Sequence, residues 1–439
     1  MLAEGEQLRA AGKLEEAILK YTYILKTAPK NVTALSQLAS IYEIQKRWNE
    51  AILYYRKIIN INPKDYRIYL HLGDALRHNG NFEKAIQCYL DSVRIKPGFR
   101  SAYSRLSLMI KQGQLLSHDN YLNEAIELSY QAIEVGENNF IINSVLCNAL
   151  AQKGRHQESI EQNQRIVYET LIENKPDFIE NAWNESANKK PNFIVSGYMK
   201  CGTTALYNYI SQHPYILGAR EKEMKFFSND SLYDLGLPWY CSNFPPIPEG
   251  SGYITGEATP NYMTGGVQTA QRVCNAFPDI KLIIILRNPV KRALSHYYFS
   301  LKHSARYQKY KSFEEAINAD IEKFENKVAQ PGGVKNLNGL SGLVLSGLYV
   351  YSIQEWLNLF PREQFLILRN EDLAKDTTST MNKVFDFLGV SASVKLQCSR
   401  KNSGSYEPMS QKQYNRLLEF YKPHNQKLED FLGINFDWN

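Results

Sequence analysis

The sequence predicts a multidomain protein, in which an all-α repeat superhelix precedes an α/β domain with a mainly parallel sheet. A repeat of about 34 residues runs through the first part of the chain. A polar junction with prolines at 176 and 191 then breaks the repeat. Beyond the junction, short apolar runs alternate with helical patterns, which is typical of a parallel sheet covered by helices. We place the boundary near residue 188, which gives domains 1–187 and 188–439.

The repeat is visible in three units as small, aromatic and proline residues that recur in register: Ala17, Ala51 and Ala85; Tyr21, Tyr55 and Tyr89; Pro29, Pro63 and Pro97. A small residue lets two helices pack closely, an aromatic four residues later lies on the same helix face, and a proline ends the second helix. A fourth unit has Ala125 at the small position, and a degenerate fifth unit has Ser159 there. The pattern resembles the tetratricopeptide repeat, which implies about five helical hairpins in domain 1–187.

Arrays of this kind either dock a protein or peptide partner or serve as a structural scaffold without a ligand. The recurring residues are packing residues, so the sequence leaves both roles open.

Composition and charge exclude several other classes of protein. The net charge of +6 arises from 51 basic and 45 acidic residues scattered along the chain, so no nucleic-acid partner is expected. No apolar stretch suits a membrane span or a signal peptide. Six separated cysteines without a CxxC pair predict reduced thiols, neither a disulfide framework nor a metal site, and a cytoplasmic protein.

The elements of the second domain follow in order. The run "NFIVSG" predicts a strand, and "TALYNYISQ" predicts a helix that begins at Ala205. The run "IKLIIILR" predicts a second strand, followed by the helix "PVKRALSHYYFSLK". The run "QFLILR" predicts a third strand, and "TTSTMNKVFDFLG" predicts the helix after it.

The first strand leads into "GYMKCGTT", which has the layout of a phosphate-binding loop. Glycines at 197 and 202 allow backbone N–H groups to turn inward, and the following helix adds the positive end of its dipole. The lysine stands at 200, inside the turn, whereas a nucleotide-hydrolysing loop carries it directly after the second glycine, where this chain has Thr203.

A second anion-binding pattern follows the strand "LIIIL". Arg287 ends this strand, and Ser295 lies about two turns into the next helix. A guanidinium can grip a phosphate with two hydrogen bonds, and a hydroxyl adds another donor. Two separate grips predict a ligand with two separated phosphates. Because no acidic strand end is apparent near "LIIILRN", metal-assisted hydrolysis of a nucleoside triphosphate is not expected.

These segments resemble the 5′-phosphosulfate loop and the 3′-phosphate segment of the P-loop-like sulfotransferases that use 3′-phosphoadenosine 5′-phosphosulfate (PAPS). The likeness is nearest to the heparan sulfate sulfotransferases and their bacterial relatives. It extends over residues 190–439 through "EKEMKFFSND", "GLPWYCSNFP", "GEATPNYM", "YSIQEWLNLFPREQFLILRNEDL" and "FYKPHNQKLEDFLGINFDW". The resemblance implies a sulfotransferase that acts on a hydroxyl or amine of a carbohydrate or polysaccharide, with PAPS as co-substrate and without a metal.

The resemblance also implies roles for individual residues. Lys200 stabilises the leaving phosphate, and Glu223 is the catalytic base. The donor is bound by three groups of residues: Lys200, Cys201, Gly202, Thr203 and Thr204; Arg287 and Ser295; Lys401, Ser403 and Gly404. Sulfuryl transfer needs a base for the proton of the acceptor and positive charge beside the leaving oxygen, which suits these residue types.

The chain departs from its relatives at two places. Ala258 follows Glu257 where the eukaryotic relatives have Glu-Lys, so a basic contact near the sulfate or acceptor is absent. The segment "CSRKNSGSYEPM" carries one cysteine and not the disulfide pair of the secreted relatives.

Several alternatives remain open. Glu221 is the fallback for the base, and His296 is interpreted as a packed helix residue more readily than as a proton carrier. The acceptor could instead be a lipid, a peptide or a small natural product, chosen by loops such as 332–346. The chain could also be a non-catalytic repeat scaffold that retains the nucleotide pocket.

Overall fold

The computed structural model describes residues 1–115, 119–303, 307, 309–333, 341–392, 394–397 and 407–438. The chain divides into two compact units, Met1–Gln162 and Asn163–Asn439. The domain boundary near residue 188 is a boundary of sequence pattern and remains a prediction.

The first unit is built from antiparallel helical hairpins. Its helices are α1 (Leu2–Ala10), α2 (Leu14–Thr27), α3 (Val32–Ile44), α4 (Trp48–Ile61), α5 (Tyr66–His78), α6 (Phe82–Ile95), α7 (Arg100–Lys111), α8 (Asp119–Glu134), α9 (Phe140–Gln152) and the start of α10 (His156–Asn174). The recurring alanines are fully buried, and they share one hydrophobic core with the recurring tyrosines. The prediction of an all-α repeat is therefore confirmed.

The degenerate fifth unit keeps the packing rule with a different residue. Ser159 is fully buried at the small position, and its hydroxyl donates a hydrogen bond to the carbonyl of Cys147 at 2.8 Å. A serine fits there because its polar atom has a partner on the neighbouring helix.

The second unit contains a five-stranded sheet. Its strands are β1 (Phe193–Gly197), β2 (Ile216–Gly218), β3 (Ile254–Ala258), β4 (Lys281–Leu286) and β5 (Phe365–Arg369). Their order is β2-β3-β1-β4-β5, and every neighbouring pair is parallel. The sequence patterns found β1, β4 and β5 but singled out neither β2 nor β3.

Helices surround this sheet along the rest of the unit. They are α11 (Pro176–Ala182), α12 (Thr203–Ile210), α13 (Asp230–Tyr233), α14 (Gly236–Cys241), α15 (Gly266–Ala276), α16 (Pro289–His303), α17 (Phe313–Val328), α18 (Tyr349–Leu357), α19 (Asn370–Lys375), α20 (Thr377–Leu388) and α21 (Gln411–Leu432). Within the described ranges, none of the helices is long and apolar enough to cross a membrane.

Strand register decides which loops meet. Gly197 at the end of β1 pairs with Ile285 near the end of β4, and Val195 pairs with Ala258 at the end of β3. Because all strands are parallel, the segments that follow the five strands leave the same edge of the sheet. The candidate site is built from these segments.

Candidate active site

The loop between β1 and α12 is a strained, glycine-dependent turn. Gly202 has φ 103°, and a Cβ atom there would lie 2.3 Å from Nδ2 of Asn370. Lys200 is also left-handed, with φ 73°, a conformation that non-glycine residues adopt at some cost. Helix α12 begins at Thr203, two residues before the predicted start at Ala205, because Gly202 serves as its N-cap.

This early start of α12 places both threonines of the loop in its first turn. Backbone N–H groups of a first helical turn have no partner within the helix, so they can bind an anion. The side chain of Thr203 is buried, whereas that of Thr204 is exposed. The geometry therefore suits a phosphate held by the start of α12.

The two predicted phosphate grips contact each other. Nη1 of Arg287 donates a hydrogen bond to the carbonyl oxygen of Lys200 at 3.1 Å. Nζ of Lys200 lies 4.5 Å from the ring centroid of Phe299, which is one turn beyond Ser295 on α16. The two grips thus belong to one site at the ends of β1 and β4.

Glu223 reaches the same site through a residue that the sequence analysis missed. Nζ of Lys222 donates hydrogen bonds to Oε1 of Glu223 at 2.8 Å and to Oγ1 of Thr204 at 3.0 Å. The side chain of Glu223 is 37% exposed, so a substrate can approach it. The lysine stands next to the glutamate in "KEMK", but its link to the loop is visible only in three dimensions.

Glu221, the alternative candidate for the base, is buried in an ion pair. It is buried, and its Oε1 lies 3.2 Å from Nη2 of the buried Arg220. Nε of Arg220 in turn donates to Oδ1 of Asn243 at 2.7 Å. Glu221 is therefore a poor candidate for a base that an acceptor must reach, compared with Glu223.

His296 and Cys201 also face inward. Nδ1 of His296 lies 3.4 Å from Nη1 of Arg292, and both residues are buried, as the packing interpretation of this histidine predicts. The thiol of Cys201 lies 3.6 Å from the hydroxyl of Tyr349, and burial raises the pKa of this thiol. The backbone N–H of Cys201 donates to the carbonyl of Tyr198, so a donor contact of Cys201 remains only a prediction.

Arg292 is a second residue that the sequence analysis did not use. Its guanidinium is fully buried and donates to the carbonyl of Met199 in the loop at 3.4 Å, and also to the carbonyl of Leu343. Through the hydrogen bond to Met199, Arg292 links helix α16 to the loop between β1 and α12. A buried charge of this kind is costly to leave without hydrogen bonds, which explains why it contacts backbone carbonyls.

An acidic residue does stand beside the end of β4, contrary to the expectation from the sequence. Oε1 of Glu371, just after β5, accepts a hydrogen bond from the backbone N–H of Asn288 at 2.9 Å. It was missed because the neighbouring strand brings it there from a distant part of the chain. The position of Lys200 still distinguishes the loop from that of a nucleotide hydrolase.

Three predicted donor-binding residues, Lys401, Ser403 and Gly404, lie outside the described residues, and so does Cys398. Part of the proposed acceptor loop, 334–340, lies outside them as well. Within the described part of the chain, none of the other five cysteines forms a disulfide bond.

Comparison with known proteins places this site in a family. The sulfotransferase domain profile matches residues 190–437, and two tetratricopeptide repeat profiles match residues 2–65 and 54–87. The membrane-associated sulfotransferase kil1 of Dictyostelium discoideum is 28% identical over 316 residues, covering 56% of this chain and 66% of that protein. The chain thus spans slightly less than two thirds of that relative.

Two further similarities were found. Heparan sulfate glucosamine 3-O-sulfotransferase 6 of Mus musculus is 29% identical over 273 residues, covering 57% of this chain and 74% of that protein. The crystal structure of a sulfotransferase from Alicyclobacillus acidocaldarius is 27% identical and covers 57% of this chain and 98% of that chain, with a TM-score of 0.46. The family profile alone covers more than half of the sequence, so the chain belongs to the sulfotransferase domain family and carries tetratricopeptide repeats ahead of that domain.

Proposed function

We propose that the protein transfers the sulfuryl group of PAPS to a hydroxyl or amine of a carbohydrate acceptor. The observation that carries the proposal is the pair of hydrogen bonds from Lys222 to Glu223 and Thr204, which joins an accessible carboxylate to the phosphate loop. The contact between Arg287 and the backbone of Lys200 adds the second phosphate grip. A donor with separated 5′ and 3′ phosphates would occupy both grips.

The chemistry is an in-line displacement at sulfur. Glu223 takes the proton of the acceptor as the acceptor oxygen or nitrogen forms its bond to sulfur. The bond between sulfur and the bridging oxygen of the 5′-phosphate breaks, and its electron pair stays on that oxygen. Lys200, with the N–H groups at the start of α12, stabilises the charge that develops there. The products are the sulfated acceptor and adenosine 3′,5′-bisphosphate, and nothing is oxidised or reduced.

Lys200 has a defined position before the donor binds. Its ammonium lies over the ring of Phe299, a cation–π contact that holds it at the face of α16 that also carries Ser295. A rotation of this side chain toward the loop would bring the positive charge to the leaving oxygen.

A carbohydrate acceptor is supported by the name of the mouse relative, which acts on heparan sulfate glucosamine. The repeats are proposed to dock a protein or peptide partner, since helical-hairpin arrays present extended binding surfaces. We propose a reducing, cytoplasmic location on the basis of the widely separated cysteines of the sequence, which contain no CxxC pair.

The test incubates the purified chain with ³⁵S-labelled PAPS and with separate polysaccharide, lipid and protein fractions. We expect label in the polysaccharide fraction; label only in lipid or protein would contradict the carbohydrate acceptor. Glu223→Gln is expected to retain affinity for adenosine 3′,5′-bisphosphate and to lose transfer. If Glu223→Gln retained full transfer, it could not be the base, and Glu221→Gln would then be compared.

Calorimetry with adenosine 3′,5′-bisphosphate tests the donor assignment. Arg287→Ala is expected to abolish binding, because it removes the bidentate grip at the end of β4. The matched control is Arg369→Ala at the end of β5, where the guanidinium contacts Asp437 at 3.2 Å. Unmutated protein that bound no bisphosphate, or equal losses in the two variants, would refute the assignment.

A further inference from the structure

Glu257, the fourth residue of β3, is a fully buried carboxylate surrounded by hydrogen-bond donors. The hydroxyls of Tyr240 and Tyr262 both donate to Oε1 at 2.8 Å. The backbone N–H of Met224 donates to Oε2 at 3.3 Å, and the hydroxyl of Thr259 donates to the same oxygen. Burial raises the pKa of Glu257, and these hydrogen bonds oppose that rise. A buried carboxyl is retained at such cost only where its partners hold it firmly.

The donors connect the end of β3 to the segment that carries Glu223. The N–H of Ala258 donates to the carbonyl of Lys222 at 2.8 Å, and the N–H of Lys225 donates to Oγ1 of Thr259 at 3.2 Å. With the bond from Met224, three consecutive residues of the strand end hold residues 222–225, which form neither helix nor strand. Lys225 has φ 55°, a left-handed conformation that needs support from its surroundings.

The same two tyrosines also hold the residues that follow. The rings of Phe226 and Tyr240 stack with centroids 4.7 Å apart, and the rings of Phe227 and Tyr262 lie 5.7 Å apart. All four side chains are fully buried. The backbone around Glu223 is thus fixed on its C-terminal side by aromatic packing and on both sides by hydrogen bonds.

We propose that Glu257 is a positioning residue for sulfuryl transfer, which fixes the backbone at Met224 and thereby holds Glu223 beside Lys222 and the phosphate loop. This inference rests on the proposed role of Glu223 as base. Glu257 itself touches neither donor nor acceptor, because it is closed off beneath the segment. Its loss changes where the base stands and leaves the phosphate grips intact.

The first test is hydrogen exchange, which needs no acceptor. In the full chain, Glu257→Gln replaces one accepting carboxylate oxygen with an NH₂ group, which cannot accept the hydrogen bonds of the surrounding donors. We therefore expect hydrogen exchange at the backbone N–H groups of Met224 and Lys225 to be at least tenfold faster. The matched control is Thr255→Val on the same strand, which removes a buried hydroxyl that donates instead to Leu217 at 2.9 Å. Unchanged exchange at both amides in Glu257→Gln would overturn the proposal.

The second test separates positioning from general damage by kinetics. With ³⁵S-labelled PAPS and desulfated heparin, we expect Glu257→Gln to lower kcat by 10- to 100-fold and to change the Kd for adenosine 3′,5′-bisphosphate by less than twofold. Thr255→Val should leave both values unchanged. As a control that needs no polysaccharide, the slow hydrolysis of PAPS, which releases labelled sulfate to water, is measured for the same variants.

A double-mutant cycle ties the effect to the base. If Glu257 acts through Glu223, then Glu257→Gln should cost nothing further in a Glu223→Gln background. Additive losses would overturn the positioning role while leaving the base assigned, whereas full transfer by Glu223→Gln alone would overturn the role of Glu223 as base and this inference with it. Should Glu257→Gln fail to fold, Thr259→Val breaks the same link to Lys225 and is expected to lower kcat in the same way.

Discussion

The free energy of unfolding of the repeats should depend on pH through the ionisation of one residue, Glu43. Glu43 on α3 is half-buried, and burial raises its pKa from 4.5 to about 7. A hydrogen bond with Tyr55 opposes this rise, and the negative charge of Asp74 adds to it. Below pH 4.5 the group is protonated in both folded and unfolded states. Between pH 4.5 and 7 the folded state keeps a proton that the unfolded state has lost, so stability falls as pH rises through this window.

The magnitude is bounded by the pKa change. A rise from 4.5 to about 7 corresponds to about 3 kcal/mol of free energy of unfolding lost once the group is ionised. Because the side chain keeps some contact with water, we reduce this figure to about 1–2 kcal/mol. Glu43→Gln should therefore stabilise α3 and α4 by about that amount at pH 8 and by nearly nothing at pH 4.

The assay is hydrogen exchange of peptides from α3 and α4 in the full chain, at matched pH values and corrected for intrinsic exchange rates. Glu50→Gln is the control, because the hydrogen bond from Arg47 lowers the pKa of Glu50 and gives it the opposite sign. If the exchange protection of α3 and α4 changed with pH in parallel in the unmutated protein and in Glu43→Gln from pH 4.5 to 8, the reasoning would be refuted.

Three further predictions concern single side chains. Gly202→Ala should weaken binding of adenosine 3′,5′-bisphosphate at least tenfold by calorimetry, because the new Cβ would clash with Asn370. Gly154→Ala is the control and should leave binding unchanged, because Gly154 also has a positive φ but no atom lies near its Cβ position. Lys222→Met should lower kcat for ³⁵S transfer more than it raises that Kd; the reverse order would show that Lys222 serves the donor alone. Ser159→Leu should destabilise the repeats by about 2 kcal/mol in urea unfolding through overpacking, whereas Ser159→Ala should cost 1 kcal/mol or less.

Local patterns predicted the parts of the fold that depend on short stretches of chain. The repeat was visible because identical packing problems recur at fixed spacing. The strands β1 and β4 were visible because strands buried on both faces are largely apolar, and β5, a partly buried edge strand, was visible because its first four residues are apolar. The strand β3 was missed because "ITGEA" contains a glycine and a charge. Its glutamate is stabilised by Tyr240 and Tyr262, which no local pattern connects to it.

The site was predictable to the same extent. Arg287 directly follows β4, and Gly202 ends the loop after β1, so sequence and parallel topology together anticipated that the two segments lie close together. Their binding of phosphate stays a prediction. Lys222 and Arg292 were not anticipated, because their roles arise from hydrogen bonds to a loop far away in the sequence. Glu371 was missed for the same reason.

We expect donor binding and proton removal, as proposed, to respond differently to substitutions. The proposed phosphate grips lie at the end of β4 and at the start of α12, so their geometry is supported by the backbone ladder of β1 and β4. The proposed base, Glu223, lies on an irregular segment that is held by the side chains of Glu257 on β3 and of Thr259 just after it. Changes under that segment should therefore lower transfer while donor affinity persists, and changes at Gly202 or Arg287 should abolish donor affinity first. If a Glu257 variant lost donor affinity in proportion to transfer, the phosphate grips and the segment that carries Glu223 would depend on the same supporting contacts, and this separation would be wrong.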